Sequence, residues 1–185
     1  MYTYEVSLID ILCHRLLLLS NKIHKSQYMK ILGIDPWTTT VWYAVVEKIW
    51  QEYILVDYGV IETAPKIPLE QKLVEIWADI SWLLELHKPE RVWVEKLFFN
   101  TNITTWIAVA HARWVVIHEI ARRWIHLYEY TPLQIKKAIT GSWAAKKAQL
   151  QKAIQMIFKL DEIPKPDDAA DAIWIAYMTG LEREI

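Results

Sequence analysis

Asp35, Glu95, Asp168 and Asp171 are acidic residues set in segments far more apolar than they are. Asp35 closes the run Ile31-Leu32-Gly33-Ile34 and precedes Pro36, which puts it at the tip of a strand. Glu95 ends Arg91-Val92-Trp93-Val94 in the same way. Asp168 and Asp171 are three apart in a helical stretch, so one face of one helix carries both carboxylates. Carboxylates in such company are costly unless something cationic compensates them, and hard oxygen ligands of this kind suit magnesium or manganese. A lone Asp near a helix start is usually a cap, and a lone Glu at a strand end is usually an exposed charge. Four acids in this arrangement instead make the pattern of a two-metal nuclease site.

The elements that must position these acids follow from periodicity. Residues 30–35, 41–49 and 52–62 read as three strands, with a tight hairpin near Trp50 and Gln51. Leu69, Leu73, Ile76, Ile80, Leu83 and Leu84 form a helical stripe over 68–87 that ends before Lys88-Pro89. A fourth strand at 91–97, a helix at 103–123 and a fifth strand at 125–130 follow, then helical segments at 131–139, 144–159 and 167–181. A meander followed by alternating helices and strands predicts an α/β fold, a mixed sheet flanked by helices.

With 185 residues the chain is long enough for one well-cored domain and short for two. Its 21 Lys plus Arg and 22 Asp plus Glu balance, so net charge announces no nucleic-acid partner. The distribution says more. Arg113, Arg122, Arg123, Lys136, Lys137, Lys146, Lys147 and Lys152 face only Glu119 and Glu129 within residues 113–152. Such a stretch beside a carboxylate site suits an enzyme that cuts a polyanion, although any single lysine is more often a solvated charge. The histidines at 14, 24, 87, 111, 118 and 126 lack ligand spacing. Cys13 is the only cysteine, so no intrachain disulfide forms and a reducing cytosol fits. The Leu16–Leu19 run is too short to span a bilayer, has His14 and Arg15 before it, and lacks a cleavage site after it. Residues 1–28 therefore read as an extension, from a start placed too early or an accessory helix, with the domain proper over 29–185.

Four segments together resemble the RuvC family of bacterial Holliday-junction resolvases: ILGIDPWTTTVWYAVVE, VWVEKLFF, HARWVVIHEIARRWIHLYEYTPLQIKKAITG and PDDAADAIWIAY. The resemblance runs from Met29 to the C-terminus, and each motif falls in the expected order. It implies a ribonuclease H-like fold with a five-stranded mixed sheet, and crossover junction endodeoxyribonuclease activity in recombination and repair. Asp35, Glu95, Asp168 and Asp171 then match the family's catalytic, metal-binding acids, holding two Mg2+ per subunit with Mn2+ as a substitute. Asp167 has no such counterpart and reads as a helix cap. Lys136 and Lys147 match basic DNA-binding positions, and Phe98 an aromatic that stacks on an unpaired base at the junction. Partners implied are a four-way DNA junction, a twofold mate forming a homodimer through helix 103–123, and the RuvA and RuvB branch-migration proteins, with no membrane. Two alternatives remain: a ribonuclease H-like protein that binds branched DNA without cutting it, and a nuclease of the same superfold acting on RNA.

Glycine usage departs from any ordinary chain of this length. Average usage of about 7% gives roughly 13 glycines. The chain has Gly33, Gly59, Gly141 and Gly180, and eleven tryptophans. Trp37 follows Asp-Pro at a turn, Trp50 sits at a hairpin tip, Trp124 follows a helix, and Trp143 lies in a loop, all positions that favour glycine. In the resembling family Trp37, Trp42, Trp114, Trp124 and Trp143 fall on glycines, and glycine also suits Trp50, Trp93 and Trp106. For Trp77, Trp82 and Trp174 the sequence does not decide. A UGA codon read as glycine in the cell and translated as tryptophan would give this pattern.

Overall fold

A computed structural model describes residues 28–96, 103–131, 134, 137, 147–165 and 167–181. Five strands form one sheet: β1 (Tyr28–Pro36), β2 (Thr40–Ile49), β3 (Glu52–Glu62), β4 (Arg91–Glu95) and β5 (His126–Tyr130). Their order is β3-β2-β1-β4-β5. The first three strands make an antiparallel meander, whereas β4 and β5 join it in parallel. Each parallel strand is reached by a helix, because a crossover needs the length of one. Helix α1 (Leu69–His87) leads to β4 and α2 (Ile103–Arg122) leads to β5. Helices α3 (Lys147–Ile157) and α4 (Asp167–Leu181) complete the described chain. Among the described residues no helix is long and apolar enough to cross a membrane.

Strand alternation sorts the core into two halves. Leu32, Ile34, Val92 and Val94 face one way and pack with Ile76, Ile80, Leu83 and Leu84 of α1 and Val116 and Ile120 of α2. Ile31 and Trp93 face the other way, onto Ile173 and Ala176 of α4 and Ile154 of α3. Burial on both faces explains the unbroken apolar run of β4. The expected β4 ends earlier, at Glu95, where the Lys96 amide donates to the Tyr130 carbonyl at 3.1 Å. Helix α1 stops where expected, with Lys88 left-handed (φ 47°) and its amide bonded back to Leu84. The helix expected at 131–139 lies outside the described residues except for Thr131, Gln134 and Lys137.

Glu119 locks α2 against α1. Its side chain is fully buried and accepts hydrogen bonds from Trp77 Nε1 (3.0 Å), Ser81 Oγ (2.8 Å), Arg122 Nη2 (2.7 Å) and Arg123 Nε (3.0 Å). Burial by itself raises a carboxyl, but these donors outweigh it and bring Glu119 from 4.5 down to about 2. Its contribution to stability is therefore complete above the ordinary carboxylate range and fades as pH falls through that range toward 2. At neutral pH, Glu119→Gln is expected to cost about 2–4 kcal/mol. In thermal melts from pH 7 to 2, the gap between native and variant proteins should close as the pH drops. A gap that persists at pH 2 would mean the charge is not what holds the helices.

Candidate functional site

The ends of β1 and β4 are brought side by side by their register. Ile34 pairs with Val94, so the next residues, Asp35 and Glu95, are neighbours at the carboxyl edge of the two parallel strands. Both point to the α4 side, in line with Gly33 and Trp93 two residues earlier. Gly33 sets how close α4 can come. A Cβ on Gly33 would stand 2.5 Å from the Ala172 carbonyl oxygen and 2.6 Å from the Ala176 nitrogen, so only a residue without a side chain admits the helix backbone there. That approach carries Asp171, one residue before Ala172, into the field of Glu95.

The electrostatics of the three acids report their proximity. Asp35 is buried. Burial, the Asp35 charge, a hydrogen bond to Asp35 and the Asp171 charge together push the Glu95 carboxyl up to about 9. The protonated Glu95 acts as donor to Asp35, as expected when carboxyls crowd one place. The charge balance fits a hard divalent cation, which would hold the same acids ionised. Among the described residues no three such side chains form a complete metal cluster. The fourth expected acid, Asp168, lies on the first turn of α4, one helical step before Asp171. Its side chain, like that of Asp167, is outside the described part.

Two further side chains neighbour the acids, of which Arg113 was not legible beforehand as part of the site. Arg113 of α2 donates from Nε to the Glu95 carbonyl oxygen at 2.9 Å and pairs with Glu129 of β5, so it ties the end of β4 to β5. The Trp37 indole donates to Asp35 Oδ2 at 3.3 Å and leans on Trp106, with ring centroids 5.8 Å apart. Trp42 pairs with Asp35 across β1 and β2. Arg113, Arg122 and Arg123 belong to the basic stretch of residues 113–152. All three are engaged by carboxylates of the fold itself, Glu129, Glu119 and Glu85. Lys136 and Phe98 lie outside the described residues, and Lys147 opens α3 with its side chain not described.

The family model described as crossover junction endodeoxyribonuclease RuvC matches residues 31–179. The chain belongs to the RuvC family. Its similarity to the RuvC of Brevibacillus brevis is 43% identity over 148 residues, 80% of this chain and 89% of that one. The Petrotoga mobilis RuvC is also 43% identical, over 84% of this chain and 95% of its own. Among solved structures, T. thermophilus RuvC in complex with Holliday junction substrate is similar with a TM-score of 0.75 and 31% identity, covering 80% of this chain and 90% of that chain. The RuvC match spans both strand-end acids and α4 as far as Thr179, and the five-stranded mixed sheet is that of a ribonuclease H-like α/β fold.

Proposed function

We propose that Asp35, Glu95, Asp168 and Asp171 form the metal centre with which this metal-dependent RuvC-family endonuclease resolves Holliday junctions by paired symmetric nicks. The observation that carries the reading is the convergence of Asp35, Glu95 and Asp171 from β1, β4 and α4, close enough to push Glu95 to about 9. Magnesium is the ion of choice, two per subunit with manganese as substitute, because the donors are hard oxygens and four carboxylates leave positions for water and phosphate oxygens. Metal held by these four carboxylates would supply an activated water and charge neutralisation at the leaving oxygen of the scissile phosphate. The chain's own part is to hold the four carboxylates rigidly. Asp35 and Glu95 are fixed by the β1–β4 register, Glu95 further by Arg113, and Asp171 by the seat of α4 on Gly33.

Lys136 and Lys147 are read as phosphate contacts beside the cut, and Phe98 as a platform for an unpaired base. Removing either lysine is expected to weaken junction association and reduce the slope of log affinity against log salt by about one. A slope unchanged in both variants would make them surface charge. A homodimer fits a substrate with two equivalent strands. RuvA and RuvB are the proposed branch-migration partners, and the cytoplasm is the proposed compartment.

Residues 1–28 are read as lying outside the nuclease domain. Among the described residues, deletion to Met29 removes Tyr28, the first residue of β1, with its pairing to Ile49 and the exposed hydrogen bond from its Oη to Glu47 Oε1 at 2.8 Å. The melting temperature and junction cleavage of the shortened chain are expected to stay close to those of the full chain. A marked fall in either would make the segment part of the fold.

The experiment that tests the function compares a synthetic four-way junction, a linear duplex and an RNA–DNA hybrid in magnesium. Preferred cutting of the junction supports the reading. Binding without cutting would favour a non-catalytic junction binder, and preferred cutting of the hybrid an RNA-directed nuclease.

A further inference from the structure

Glycine's ordinary work in this fold is done by residues unsuited to it. None of the described glycines, Gly33, Gly59 and Gly180, has a positive φ. Among the described residues five that are not glycine do: Trp50, Trp124 and three lysines. Trp50 is the first of the two loop residues in the β2–β3 hairpin, between the paired Ile49 and Glu52, with φ 61°. Positive φ at the first loop residue and not at Gln51 is the pattern of a type II′ turn, whose first central position is glycine's.

Trp124 closes α2 with φ 57°. Its amide bonds to the Ala121 carbonyl at 3.0 Å, and the Ile125 amide to Ile120 at 3.4 Å. That pair of bonds is the Schellman motif, with Trp124 at the left-handed position that glycine fills at low cost. The side chains gain little in exchange, since Trp50 is 65% and Trp124 95% exposed. Trp37 shows the functional counterpart, with its indole on the carboxylate of Asp35 and its ring against Trp106. Trp93 is fully buried and its indole N–H has no hydrogen-bond partner, a loss that a core tryptophan normally avoids.

We propose that positions 37, 50 and 124 are glycine in the protein as its own cell makes it, so that the acidic site is open where an indole now covers Asp35. One mechanism accounts for a systematic exchange of one residue type for another: a UGA codon that the cell reads as glycine and a different code reads as tryptophan. Trp77 behaves differently. Its indole donates to the buried Glu119, a contact glycine cannot make.

The test reads the coding DNA at codons 37, 50 and 124 and the masses of the matching peptides from native protein. UGA codons with glycine masses are expected. UGG at these codons, or tryptophan masses in the peptides, overturns the proposal. In the literal chain, Trp50→Gly and Trp124→Gly are each expected to raise the melting temperature by about 2–4 °C. No rise in either would remove the backbone argument. Trp37→Gly is expected to speed junction cleavage roughly tenfold, the equivalent of about 1.4 kcal/mol in the barrier, and an unchanged or slower rate would mean the indole does not obstruct the site. This last readout rests on the metal-centre reading, whereas codons, masses and melting temperatures do not, so failure of one is distinguishable from failure of the other.

Discussion

Asp35→Asn, Glu95→Gln, Asp168→Asn and Asp171→Asn are each expected to slow cutting of a four-way junction by about a hundredfold or more, while junction binding stays largely intact. The size follows from what is lost. Changing a group that merely supports a metal ligand already costs 10- to 100-fold, and these changes remove a ligand charge itself. The exchanged amides keep the shape of the side chains, so strand and helix should remain in place. Glu95→Gln carries an additional signature. Burial, Asp35 and Asp171 already hold Glu95 in its neutral form without metal, and the neutral glutamine amide can still donate to Asp35. The variant should therefore melt no lower than the native chain even as it stops cutting. Near-normal cutting by the Asp35 or Glu95 variant in magnesium would remove the assignment.

Gly33→Ala is expected to lose both stability and cutting, although position 33 carries no reactive group. The new Cβ would meet the backbone of α4 at 2.5 and 2.6 Å, and backbone cannot rotate away as a side-chain end can. Overpacking of this kind costs about 1–3 kcal/mol, and a displacement of Asp171 by an ångström or so would cost about a hundredfold in rate. Gly59→Ala provides the comparison, because its Cβ meets only the Tyr43 side chain, at 3.0 Å and beyond. Thermal melts and junction cleavage of the two variants should separate clearly. A Gly33→Ala protein with native melting temperature and rate would show that α4 does not depend on this contact.

The parts of the account legible in the sequence are those governed by local periodicity. Ile31 to Asp35 alternates between the two cores, and Leu69 to Leu84 repeats at helical spacing, so strands and helices could be placed to within a few residues. Asp35 and Glu95 stood out because each ends an apolar strand. That they meet in one site was legible from the set of four acids and the family resemblance and not from either strand alone, since it depends on β4 entering in parallel beside β1 after the whole of α1. Pairing partners at that separation leave no trace in one sequence. The same limit hid the role of Gly33, whose partner carbonyl comes from Ala172 near the other end of the chain. Glu119 had a local signal, with Arg122 and Arg123 three and four residues on. Counting it as one acid in a basic stretch obscured that pairing and made the surface look more cationic than the fold leaves it.

The measurement that bears most directly on the central claim maps the cuts on a four-way junction labelled on each strand, with magnesium and with a chelator. The account predicts two nicks at symmetry-related positions on strands of like polarity, present in magnesium and abolished by chelation. Cutting that persists in the chelator, or nicks scattered over all four arms, would contradict it.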